Sequence, residues 1–106
     1  MGTFEDRRKG FEEKFRHEQD LFFKITARRN RLFGKWAADR LGLSGGEAEE
    51  YVRSVIISDL QQPGDDDIVG KVEQDLVAKG VAMTPSSLRA KLDEFAKEAQ
   101  IQVMNG

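Results

Sequence analysis

The chain has 106 residues and lacks cysteine altogether, and it contains only one histidine and two prolines. The lack of cysteine rules out a disulfide framework and fits a reducing compartment. It also rules out Cys/His catalysis, and a single histidine leaves little for a Ser/His/Asp arrangement. Aliphatic runs such as Val55-Ile56-Ile57 are far too short for a membrane span. These absences predict a cytoplasmic protein of one domain, with no catalytic residues, no metal ligands and no cofactor.

Charge is abundant but unevenly distributed along the chain. Charged residues form 34% of the sequence, and the net charge is -2. Residues 1–42 hold eleven lysines and arginines against seven acids, whereas residues 43–106 hold six against twelve. The first segment is therefore basic and the remainder acidic, a division that favours an oriented encounter with a partner.

Helix-stopping and helix-starting residues divide the chain into four predicted helices. Gly42 ends the first, Pro63-Gly64 the second and Gly80 the third, because glycine and proline are poor continuations of a helix. Each following helix opens with a capping or acidic signal that satisfies or complements its free N–H groups. These starts are the capping box Ser44–Glu47, the run Asp65-Asp66-Asp67 and the N-cap pair Thr84-Pro85.

Each of the last three helices carries one apolar stripe, and no stretch alternates with the period of two that marks a strand. The stripe residues are Ala48, Tyr51, Val52, Val55, Ile56 and Leu60; Ile68, Val69, Val72 and Leu76; and Leu88, Leu92, Phe95, Ala99 and Val103. The first helix has enough apolar surface from Asp20 to Leu41 to pack with them. Short loops favour antiparallel neighbours. We predict an all-α fold, a small four-helix bundle over residues 19–106 with a mobile N-terminal arm over residues 1–18.

The arm is dense in charge but carries a regular series of aromatic residues. Phe4, Phe11, Phe15 and Phe22 follow one another at intervals of seven, four and seven, which places the rings on one stripe of a helix. So narrow an apolar stripe buries little surface by itself, and Gly10 destabilises a helix by about 1 kcal/mol relative to alanine. We expect residues 1–18 to be frayed in the free protein and helical when bound, and the stripe from Phe22 onward to belong to the core.

Two other features have competing interpretations. The stretch Arg28-Arg29-Asn30-Arg31 could contact nucleic-acid phosphates, but arginines serve equally well as protein-interface anchors. His17, with Glu13 and Asp20 about one turn away on either side, has the spacing of a metal or pH-sensing site. A lone histidine on a charged helix is far more often solvated. We therefore expect neither nucleic acid nor a metal to be a partner.

Five blocks of the sequence together resemble a known family over nearly the whole chain. The blocks are FEDRRKGFEEKF, HEQD, FFKITARRNRLFGKWAADRLG, PGDDDIVGKV and AKGVAMTPSSLRAKLDEF. In this order they closely resemble the zeta subunit of alphaproteobacterial F-type ATP synthases. The most specific pieces are ARRNRLFGKWAA and PGDDD.

The resemblance implies an inhibitor of ATP hydrolysis whose arm becomes helical and wedges at an alpha/beta catalytic interface, near the central stalk. The partners would be the alpha, beta and gamma subunits of the catalytic head, bound at the cytoplasmic face of the inner membrane by a monomer. The partner-binding residues carried over are Phe4, Arg7, Arg8, Phe11, Lys14, Phe15 and Arg16. The alternative is a helical interaction module that binds the synthase, or another protein, without strong inhibition.

Overall fold

A computed structural model describes residues 3–61 and 64–105, with side chains described for residues 17–60 and 64–105. It contains four α-helices, α1 (Thr3–Arg40), α2 (Gly45–Gln61), α3 (Asp66–Ala78) and α4 (Pro85–Asn105), and no strand within the described ranges. The predicted all-α four-helix bundle is confirmed. In the part of the chain that the structure describes, no helix is both long and apolar enough to cross a membrane.

Glycines with left-handed backbone geometry end α1 and α3. Gly42 has a φ of 75° and Gly80 a φ of 81°, a region that side chains disfavour. After α1, the Leu43 N–H donates to the Ala38 carbonyl at 2.9 Å, and after α3 the Val81 N–H donates to the Leu76 carbonyl at 2.9 Å. Both ends are therefore Schellman motifs, which satisfy carbonyls that the helix leaves free.

The predicted helix starts are confirmed for α4 but not for α2. Thr84 Oγ1 accepts a hydrogen bond from the Ser87 N–H at 3.1 Å, so threonine is the N-cap and Pro85 the first helical residue. The capping box at Ser44 is wrong: its side chain makes no such hydrogen bond among the described residues. Ser44 directly precedes α2, but Gly45, the first residue of that helix, has a φ of 57°, so the helix does not begin with the backbone geometry that a capping box requires.

The core lies where the predicted stripes of all four helices meet. The buried stripe residues include Val52 and Val55 of α2, Ile68, Val69, Val72 and Leu76 of α3, and Leu88, Leu92 and Ala99 of α4. Phe33 of α1 is fully buried and lies 5.8 Å from Trp36 and 6.4 Å from Phe95, between ring centroids. Leu60 is the exception on the α2 stripe, because 68% of its surface is exposed.

Helix α1 is the central helix of the bundle, since it packs against both α2 and α4. Its partners run antiparallel to it: Asn30 contacts Asp59 near the end of α2, and Arg28 contacts Gln102 near the end of α4. The helix continues N-terminally past both of these ends without interruption. The boundary near residue 18, between arm and bundle, stays a prediction.

Candidate partner-binding site

All seven predicted partner-binding residues belong to the N-terminal part of α1, where the backbone is helical from Thr3. Their side chains lie outside the described residues. Their roles therefore stay predictions. The structure shows how the rest of α1, which continues this segment, is attached to the bundle. The residues concerned are Phe4, Arg7, Arg8, Phe11, Lys14, Phe15 and Arg16.

The described part of α1 next to this segment is exposed and carries two large apolar rings. Residues 17–20 are all exposed, Phe22 is 73% exposed and Phe23 is 65% exposed. The expectation that Phe22 belongs to the core is wrong, because α2 and α4 end before they reach it. Exposed aromatic rings at the point where a helix leaves its bundle are typical of a protein-contact surface.

Sequence reasoning missed Phe23 as an exposed residue. The signal was present in the Phe22-Phe23 pair itself, because adjacent residues on a helix point about 100° apart and cannot both follow one narrow seam. Together with His17 and Asp20, both exposed, the pair gives the described start of α1 a mixed charged and aromatic surface.

A partly buried polar cluster fixes α1 to the bundle just after this exposed start. Arg29 Nη2 lies 3.1 Å from Asp65 Oδ1 and 3.8 Å from Asp59 Oδ1. Arg29 Nε donates to Asn30 Oδ1 at 3.0 Å, and Asn30 Nδ2 donates to Asp59 Oδ2 at 2.7 Å. Asn30 is only 3% exposed. The cluster joins the two most specific sequence blocks, ARRN and PGDDD, and ties the direction of α1 to α2 and α3.

The cluster separates the arginines that the sequence placed together. Arg29 is 14% exposed and paired with acids, so it serves the fold. Arg28 and Arg31 are exposed. Only part of the stretch is therefore available to any partner, which weakens its interpretation as a continuous phosphate-binding surface.

Three further contacts stabilise the fold without offering chemistry. Tyr51 Oη donates to Asp75 Oδ2 at 2.9 Å, which links α2 to α3. Burial of the phenol, with this hydrogen bond and the nearby carboxylate charge, raises the pKa of Tyr51 well above its ordinary range. On α1, Trp36 lies beneath the Arg40 guanidinium at 5.4 Å and the Lys91 ammonium at 5.6 Å. Both distances are within the range of cation–π contacts.

The described side chains contain no group of three or more His, Cys, Asp or Glu residues placed to hold a metal. Every buried polar side-chain atom in this part of the chain has a hydrogen-bond partner. What the arrangement provides is a rigid helical body from which one long helix extends, with exposed aromatic and charged side chains. The fold and this site define a small all-helical protein that presents α1 for contact with another protein.

The comparison with protein families gives a specific match. The family model described as ATPase inhibitor subunit zeta matches residues 1–102, so the chain belongs to this family. The match covers both the exposed start of α1 and the bundle, which confirms the resemblance found in the sequence. A comparison with curated proteins gave no match.

Proposed function

We propose that this protein inhibits ATP hydrolysis by an F-type ATP synthase. The observation that carries the proposal is the match to an inhibitor-subunit family over residues 1–102, a range that includes the predicted arm as well as the bundle. In this proposal the protein is a regulator without catalytic activity of its own. It acts by contact with the alpha, beta and gamma subunits of the catalytic head.

The proposed mechanism assigns different tasks to the two parts of the molecule. The arm inserts at an alpha/beta catalytic interface near the central stalk, where Phe4, Phe11 and Phe15 are the desolvated anchors. The cations beside them, which are Arg7, Arg8, Lys14 and Arg16, set register and speed the encounter. The inserted helix blocks rotation in the hydrolytic direction and permits synthesis.

The described structure supports this division. Helix α1 is continuous from Thr3 to Arg40, and the cluster around Arg29 fixes its second half to the bundle. A force on an inserted arm would therefore be transmitted along one helix to a folded body. Ordering of residues 1–18 on binding stays part of the proposal.

A second candidate is an interaction module that binds the synthase without strong inhibition. The position of Gly10 favours it, because a glycine inside a helix costs about 1 kcal/mol and weakens an arm that must hold helical geometry under load. Binding and inhibition are therefore measured separately.

The test is ATP hydrolysis by an alphaproteobacterial catalytic head, titrated with the full chain and with a chain that starts at Asp20. The first buried side chain described on α1 is Asn30, so we expect the shortened chain to fold, which circular dichroism checks. Inhibition by the full chain alone supports the proposal. Binding of the full chain without inhibition supports the second candidate. Equal inhibition by both chains would place the inhibitory surface on the bundle.

A further inference from the structure

A groove on the surface of the bundle lies between α1, α2 and α4, apart from the predicted arm. Its α1 side carries Lys24, Arg28, Arg31 and Lys35, which follow one another at intervals of four, three and four residues. This spacing sets all four cations along one face of α1 over about 16 Å, or three helical turns.

Four apolar residues also line the groove. They are Phe23 and Ala27 of α1, Ile56 of α2 and Val103 of α4. Phe23 is 65% exposed, so its ring is available to an occupant. The groove therefore combines a strip of hydrophobic surface with a row of positive charges, a pairing that suits an amphipathic ligand better than a purely ionic one.

None of the four cations of the groove forms an ion pair with a described residue. Within the described part of the chain, no carboxylate lines the groove. Arg28 Nη1 donates to Gln102 Oε1 at 3.3 Å, a neutral acceptor. The adjacent Arg29 is different, because it is paired with acids and only 14% of its side chain is exposed.

We propose that this groove binds an acidic amphipathic helix of a partner protein. Carboxylates at intervals of four, three and four on such a helix would face the four cations, and its apolar residues would cover Phe23, Ile56 and Val103. A nucleic acid fits less well, because residues 43–106 carry twice as many acids as bases and would repel a long polyanion beyond the groove. This inference does not depend on the proposed function.

The test uses a synthetic stapled helix of about four turns, with glutamates at the matching intervals and leucines on the adjoining face. A second peptide of identical composition, with glutamates and leucines scattered around the helix, is the control. Titrated into the full-length, isotope-labelled chain, the first peptide is expected to shift amide signals of residues 23–35 and Val103. Its affinity is expected to fall about tenfold as salt rises from low to physiological strength, because the attraction is electrostatic. Equal binding of the scattered peptide would overturn the proposal.

Charge reversal locates the binding site. The double variant Arg31→Glu/Lys35→Glu is expected to lose about tenfold or more in peptide affinity. The matched control is Lys79→Glu/Lys97→Glu, which changes the same charge at exposed positions outside the groove and is expected to stay within about twofold of the parent. Amide spectra of both variants confirm the fold. Equal losses in the two variants, or tighter binding of a short single-stranded DNA than of the peptide, would overturn the assignment.

Discussion

The Arg29 guanidinium of α1 lies 3.1 Å from a carboxylate oxygen of Asp65, the residue that precedes α3. The same guanidinium faces Asp59 of α2 at 3.8 Å. One side chain of α1 thus connects α2 with the residue that precedes α3, where α1 emerges from the bundle. Arg29 and Asp59 are largely covered, at 14% and 13% exposed, and hydrogen bonds to charged groups are stronger there than on an open surface.

We expect Arg29→Met to lower the free energy of unfolding by about 1.5–3 kcal/mol. Methionine keeps much of the side-chain volume but removes both ion pairs and the hydrogen bond to Asn30. It also leaves Asp59, which is 13% exposed, with less compensation for its charge. Urea denaturation monitored by Trp36 fluorescence measures the loss.

The matched control for this variant is Arg28→Met, at the neighbouring position on the same helix. Arg28 is exposed and contacts only a neutral amide in the described structure, so its loss is expected to change stability by no more than about 0.5 kcal/mol. Equal effects of the two substitutions on the free energy of unfolding would show that the polar cluster around Arg29 does not stabilise the fold.

Gly34 of α1 lies close to the backbone of α2. A Cβ at this position would lie 3.2 Å from the Val52 Cα, whereas a Cβ on Gly70 of α3 would meet nothing within 4 Å. Alanine normally stabilises a helix by about 1 kcal/mol over glycine, and overpacking costs about 1–3 kcal/mol. We expect Gly70→Ala to stabilise the protein and Gly34→Ala to destabilise it by about 1 kcal/mol in thermal or urea unfolding. A stabilising Gly34→Ala would show that the helices separate easily.

The elements that were predictable from sequence are those fixed by local chemistry. The stripes of α3 and α4 repeat with the helical period between clear stops, and Thr84-Pro85 has the side chains that an N-cap and a first helical position require. At Ser44 the same kind of signal failed. A capping box requires regular helical geometry directly after the cap, and Gly45, the first residue of α2, is left-handed instead.

What sequence could not supply was the relation between helices. The periodicity of α1 continues through Phe22, but whether a ring is covered depends on where α2 and α4 end beside it. Likewise, Arg28, Arg29 and Arg31 are chemically identical, and only the position of Asp59 and Asp65 distinguishes the buried one. The groove with its four cations could not be predicted for the same reason, because Ile56 and Val103 are remote in the chain from α1.

The raised pKa of Tyr51 predicts a loss of stability in alkaline solution. Its pKa is raised above the ordinary value of 10.0, chiefly by burial and then by Asp75, so the folded state keeps the phenolic proton when the unfolded state loses it. The stabilisation is complete below pH 10 and is lost as the pH rises above it.

We therefore expect Tyr51→Phe to be less stable than the parent at neutral pH by about 0.5–1.5 kcal/mol, the contribution of one hydrogen bond. Above pH 10 the gap is expected to narrow, since only the parent has an unfolded state that gains from phenol ionisation. Urea unfolding of both proteins from pH 7 to 11 measures this difference in the free energy of unfolding. A gap that stayed constant across this range would contradict the assigned cause.

Phenylalanines of the same helix are expected to divide into inhibitory and structural residues. Phe11→Ala and Phe15→Ala should abolish inhibition of the catalytic head while leaving thermal unfolding of the bundle unchanged, because the proposed anchors act on the partner. Phe33→Ala is the structural counterpart: its ring is fully buried, and its loss is expected to cost about 3–5 kcal/mol. Hydrolysis assays and calorimetry on the same three variants separate the two roles. If Phe11→Ala and Phe15→Ala inhibit as strongly as the parent, the assignment of these phenylalanines as partner-binding anchors is wrong, whether or not the bundle contributes to inhibition.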